Sequence, residues 1–251
     1  MAVSVDTVYQ KVLAFANKEQ RGYITPQEFN LFADQAQMEI FEQYFYDKNQ
    51  FGRVPGNNYA YSDMVANLEE KVSHFKRYDE NVSSRLNSDG DIFFDNDVVY
   101  RVGMVRVRPA QNEPLYIAEE MKIEEEFILY ESSPLTKHSI KRPIYWKRKS
   151  NANQTGGEGI SIRIYPKPEV HSTAVLMSYI KNPSKPNWGY VVVNDKPLYN
   201  STSSVDFELH ASEESELVYR VLTFAGIAIE KLQLTQVAVG LESAKQQQEK
   251  Q

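Results

Sequence analysis

"DIFFDNDVVYRVGMVRVRP", residues 91–109, is where the chain changes its period. Apolar and polar residues alternate here, and β-branched residues are abundant, so the stretch reads as strands. Val102, Met104 or Val105, and Val107 are expected to face a core, with Arg101, Arg106 and Arg108 facing out. Further candidates follow. "EPLYIAEEMKIEEEFILYESSPL" (113–135) begins as a strand and passes into a short acidic helix at about 120–132. "RPIYWKR" (142–148), "GISIRIYPKP" (159–168), "TAVLMSYIKNP" (173–183) and "WGYVVV" (188–193) are four more strands set off by Gly, Pro and Asn. "SVDFELHAS" (204–212) reads as a last extended piece. Short strands at such intervals suggest an antiparallel sandwich or barrel.

Upstream the period is helical. Val8, Val12, Phe15 and Ala16 share a face over 6–17, with Asp6 placed to cap it. Phe29, Phe32, Ala33, Ala36, Ile40 and Tyr44 form a second stripe, and the two helices predict an antiparallel hairpin. Between them, "NKEQRGYITPQEF" (17–29) has the glycine, isoleucine and glutamate offsets of a calcium loop. Its first, third and fifth positions, however, are Asn17, Glu19 and Arg21, and a cation is wrong for the fifth. Thr25, Pro26 and Glu28 instead make a capping box with proline at the first helical position. A third helix, capped by Ser62, carries Val65, Leu68, Val72 and Phe75.

Downstream the chain reverts to helix. Ser212 is placed to cap a face of Leu217, Val218, Val221, Leu222, Ala225, Ala228 and Leu232, with Glu213, Glu214 and Glu216 at the positive end of the helix dipole. A polar, Gln-rich end follows. The expected fold class is α+β. It comprises an N-terminal helical region (1–77), a β-rich domain with the inserted helix (78–211), and a C-terminal helix and tail (212–251) that packs with the N-terminal helices.

Composition narrows the function. The 251 residues are 41% hydrophobic, enough for a sizeable core, and the net charge of −6 argues against a general nucleic-acid or membrane binder. With no cysteine, disulfides and thiolate metal sites are ruled out. The N-terminus lacks the look of a signal peptide, and no apolar run approaches the roughly 20 residues that span a bilayer, so a soluble protein is expected. His74, His138, His171 and His210 are scattered without metal spacing. There is no nucleophile elbow or Walker loop, and "QTGGEG" (154–159) lacks a phosphate loop's lysine. The glutamates of 119–126, Glu124 and Glu125 among them, could serve a hydrolase but read better as a solvated face. No catalytic residue, cofactor or metal is assigned. "KHSIKRPIYWKRK" (137–149) is locally basic and aromatic, which suits an acidic protein surface, pairing with those glutamates, or a nucleic-acid backbone.

Several stretches carry a resemblance. Residues 8–44, "VYQKVLAFANKEQRGYITPQEFNLFADQAQMEIFEQY", resemble the N-terminal helical hairpin of many tailed-bacteriophage virion proteins, including the Ala36–Gln37 pair. "SSPLTKHSIKRPIYW" (132–146), "IRIYPKP" (162–168), "MSYIKNPSKPNWGY" (177–190) and "SVDFELHASEESELVYRVLTFAGIAIE" (204–230) are similar in order to structural proteins of podovirus-like and marine phages, and in part to head–tail adaptors. The resemblance implies a connector in the virion neck, made in the host cytoplasm. Twelve copies would form a ring joining the portal to tail or nozzle proteins, with DNA passing through the lumen without specific binding and no membrane involved. The candidate interface is Tyr44, Phe45, Tyr46 and Phe51, together with Lys141, Arg142, Lys147, Arg148 and Lys149. The alternative is a tail module binding host glycan, with Tyr145, Trp146 and Trp188 as stacking residues.

Overall fold

The computed structural model describes residues 3–17, 24–51, 59–95, 98–123, 126–150, 159–228, 239–240 and 243. The chain is α+β and divides into two compact units: 75–182, and a second formed by 1–74 together with 183–251.

The helical unit holds α1 (Val5–Asn17), α2 (Pro26–Phe51), α3 (Tyr59–Ser73) and α5 (Glu214–Ala228), the fourth helix in chain order lying in the other unit. Val5, Val8, Tyr9, Val12 and Ala16 are buried, the three-and-four spacing that puts one face of α1 inward. Phe15, expected on that face, is exposed, and Asp6 does not cap. The helix starts one residue earlier, Ser4 Oγ accepts a long 3.5 Å bond from the Thr7 N–H, and Asp6 accepts the Trp188 indole N–H at 2.9 Å. The capping box at α2 forms: the Glu28 carboxylate accepts from the Thr25 N–H (2.9 Å) and hydroxyl (2.7 Å), and the Glu28 N–H donates to Thr25 Oγ1. Those bonds, the backbone one foremost, hold the Glu28 carboxyl below its ordinary pKa. Calcium-loop positions 19 and 21 lie outside the described residues.

The second half of this unit comes from the far end of the chain. Leu217, Val218, Val221, Leu222 and Ala225 are buried as α5 packs on α1 and α2. Its entry differs from expectation. His210, not Ser212, accepts the capping bond of a short 3-10 turn (Ala211–Glu213), and α5 begins at Glu214. Glu214 and Glu216 stand in the first turn as expected, and Glu213 and Glu216 are buried. Glu213 pairs with Lys71 at 2.6 Å, and Glu216 with Arg220 at 2.8 Å. Arg220 also reaches Glu39 and Gln43 on α2, so charges removed from water are matched across the helix pair. The segment 183–210 is fastened by Gln37, which is fully buried: its amide donates to the Ser184 carbonyl (2.8 Å) and accepts from the Glu208 N–H (3.1 Å). Glu208 in turn accepts from the Ser184 N–H and hydroxyl. The same segment carries a hairpin, β8 (Tyr190–Val193) and β9 (Lys196–Tyr199). The β-rich domain expected to run to 211 therefore stops at 182, because 183–211 finds its hydrogen-bond partners and burial on α1 and α2.

The sheet unit is built from β1 (Lys76–Asn81), β2 (Asp91–Asp95), β3 (Val99–Val107), β4 (Tyr116–Met121), α4 (Glu126–Ser132), β5 (Ile144–Ser150), β6 (Gly159–Tyr165) and β7 (Val175–Lys181). The strands form one sheet in the order β1-β7-β3-β4-β5-β6-β2, antiparallel except for the parallel β4–β5 pair. This is a single curled sheet rather than two stacked ones. Phe94 on β2 and Tyr179 on β7 stand five strands apart in that order, ~24 Å in a flat sheet, yet their rings lie 6.0 Å apart. Side chains from all the central strands meet in one core that includes Ile92, Phe94, Val105, Ile162, Ile164 and Met177. On β3 the buried residues are Val99, Val102, Val105 and Val107, and Met104 is exposed. Register shifts between Val99/Arg101 and Val102/Val105 supply the extra residue that resets strict alternation, as β-bulges do. Gly103 lies in the second, where a Cβ would stand 2.8 Å from the Ser178 carbonyl oxygen. The inserted helix is shorter than expected: 120 and 121 belong to β4, where Glu120 pairs with Tyr145 and Met121 with Trp146 in register.

Replacing Gln37 with Leu keeps the volume and leaves the Ser184 carbonyl and Glu208 N–H without their partner, at about 1–3 kcal/mol each. Urea unfolding should show a clearly lower midpoint for Gln37→Leu; an unchanged midpoint would mean that the fastening of 183–210 does not depend on this amide.

Candidate functional site

The described side chains place their histidines in structural roles. His171 Nδ1 accepts from the Thr173 N–H at 3.3 Å, and its Nε2 lies 3.1 Å from the Arg108 carbonyl. His210 caps, with its ring 5.7 Å from that of His74. Among the described residues, no group of three or more His, Asp or Glu is arranged to hold a metal ion. The glutamates of 119–126 do not converge as a pair of catalytic carboxyls. Glu119 and Glu120 are exposed on β4, Glu120 is 2.7 Å from Lys147, and Glu126 opens α4. Glu124 and Glu125 lie outside the described residues.

The basic stretch is partly absorbed by this pairing. Lys147 meets Glu120, Lys141 and Arg142 are exposed in a tight turn closed by mutual Ser139–Arg142 backbone bonds, and Arg148 is half-buried on β5. The Lys149 side chain lies outside the described set. Tyr145, Trp146 and Trp188 are buried, so none of the stacking candidates offers a ring face to a sugar. Burial, followed by the charge and hydrogen bond of Glu120, pushes the Tyr145 phenol up to about 12.

Of the expected aromatic interface, Tyr44 is buried within its own chain, with the Lys71 ammonium 5.8 Å over its ring. Phe45 packs edge-on to Phe41 at 5.0 Å. Among the described side chains of this set Tyr46 alone is well exposed, its hydroxyl accepting from Gln50. The Phe51 side chain lies outside the described set. The stripe continues through Tyr44 because residue 44 follows Ile40 by four, one helical turn further along the buried face.

Two surfaces that the pattern did not single out carry clusters of exposed apolar side chains. The first is the β8–β9 hairpin, where Val191, Val192, Val193, Leu198 and Tyr199 are 41–60% exposed. Its two-residue turn, Asn194–Asp195, has φ of 50° and 59°, the left-handed pair that a tight hairpin favours and that Asn and Asp tolerate. That Asn-Asp dipeptide was the available signal. Pro197 masked it, since proline demotes a run from strand. The second is the β4–β5 crossover, residues 122–143, in which α4 buries no residue and Ile123, Ile128, Leu129, Leu135 and Ile140 are exposed. Beneath the crossover, Phe127 stacks on His138 at 5.3 Å, and Tyr165 meets the His138 ring edge-on at 4.1 Å. Met121, Ile144 and Trp146 complete this satellite core. A cleft of about 270 Å³ opens at its side, between the end of β4 and α4.

No protein-family model matches the chain, and comparison with curated proteins returns no match.

Burial holds the His138 imidazole below its ordinary pKa; the nearby Lys137 charge adds to this and Glu131 opposes it. The fold thus favours the neutral ring, and the stabilisation is present above the unfolded value of about 6.5 and is lost as pH falls below it. Amide exchange over 126–146, corrected for its intrinsic pH dependence, should quicken between about pH 7.5 and about 5.5. His138→Phe should remove that difference. Equal protection at both pH values in the unaltered protein would refute the assignment.

Proposed function

We propose that this chain is a structural protein of a tailed-phage virion, a head–tail connector whose copies assemble into a ring between portal and tail. The observation that carries the reading is the β8–β9 hairpin, which leaves apolar side chains in water on both faces. A two-stranded hairpin on its own is marginally stable in water, and contiguous apolar surface of this kind marks an interaction site. A cyclic ring needs two different patches on each subunit, one for each neighbour. The crossover 122–143, with Ile128, Leu129, Leu135 and Ile140 exposed, supplies the second. The resemblance to phage connector proteins supplies the class and the partners: portal above, tail or nozzle proteins below, twelve copies around the axis. A net charge of −6 suits a lumen through which DNA passes without being held.

The test is assembly. Purified protein mixed with the portal protein of the same phage should give co-axial rings in negative stain, and the chain should be found in the necks of intact particles. Particles whose necks lack it, or a protein that neither self-associates nor binds portal, would end this reading.

A further inference from the structure

We infer that subunits join by insertion of the β8–β9 hairpin of one copy into the cleft between β4 and α4 of the next. This inference rests on the reading of the chain as a self-assembling protein and specifies the contact. Alternation along the hairpin puts Val191 and Val193 on one face, and their register partners Leu198 and Lys196 stand on the same face. The hairpin therefore presents three half-exposed aliphatic side chains with a single cation at its tip.

The cleft is the complement of that pattern. Its apolar lining comes from Met121, Ile123, Tyr130 and Ile144; Glu119, Glu120 and Glu126 add carboxylates, and Lys122 adds one cation. Among the described residues Lys196, Glu119 and Glu126 form no ion pair, whereas Glu120 is already taken by Lys147. At about 270 Å³ the space falls just under the ~300–1,000 Å³ usual for small-molecule sites, and it suits a few aliphatic side chains better than a metabolite. A second copy of this chain is the occupant the chemistry selects, because aliphatic groups with one adjoining lysine meet a mostly apolar lining in which the carboxylates of Glu119 and Glu126 outnumber the single cation Lys122. Donor and acceptor are different patches, so the contact is heterologous and propagates around a ring.

The absence of cysteine makes the test clean, since an introduced thiol is the only one in its chain. Full-length Val193→Cys and Ile123→Cys proteins, mixed and oxidised, should give a crosslinked heterodimer at least tenfold faster than Val193→Cys mixed with Leu31→Cys, whose site is exposed on α2. Each variant alone should give little dimer. Lys196→Glu should weaken self-association in sedimentation velocity, and combining it with Glu126→Lys should restore much of it. If the unaltered protein assembles while the crosslink runs no faster than its control, the hairpin–cleft contact is wrong and the assembly reading stands. If the unaltered protein stays monomeric up to near-millimolar concentration and does not ring on the portal, both fall.

Discussion

The helical unit depends on one buried amide. Gln37 sits on the inward face of α2 with no exposed surface, and it holds both ends of the 184–208 excursion through one donated and one accepted bond. A buried amide costs free energy unless both its ends are paired, so the arrangement is specific as well as stabilising. Glu208 closes the ring by accepting twice from Ser184. Asn30 repeats the device two turns earlier on α2, accepting from the Trp188 N–H at 2.7 Å and donating to Asn187. The first and last thirds of the chain are thus joined by side-chain amides that read backbone groups, and the apolar faces of α1, α2 and α5 close over them.

The buried charges follow the same logic. Arg220 sits among Glu216, Glu39 and Gln43, and Glu213 is matched by Lys71. Such pairs add little net stability against apolar replacements, whereas removing one partner leaves a charge buried and alone, which is strongly destabilising.

The α+β class and most elements were legible in the sequence, since helical and alternating periods are local properties. The capping box at Thr25–Glu28 was readable for the same reason, being three residues long. What escaped was set by distant partners. Glu213 looks like a helix-start acid until Lys71, 142 residues earlier in the chain, pairs with it in the interior. Asp6 looks like a cap until an indole 182 residues away claims it. The unit boundary at 182 rather than 211 turns on Gln37, and Tyr145, Trp146 and Trp188 have no sequence mark separating a buried ring from a displayed one. The candidate surfaces were missed because an exposed apolar residue and a core one look alike in the local pattern; only the finished fold shows which are uncovered.

The single parallel pair in the sheet has a consequence for how this molecule can diversify. A chain leaving β4 must travel back along the whole strand before entering β5 in the same direction, and it does so outside the sheet. Among its described residues, Phe127 and His138 anchor that return path in the satellite core, and the Pro143 carbonyl joins it to β4 through the Glu119 N–H. Lengthening it, or exchanging its outward side chains, leaves every strand register intact. Some twenty residues of overpass can therefore change while the barrel-like platform beneath stays the same.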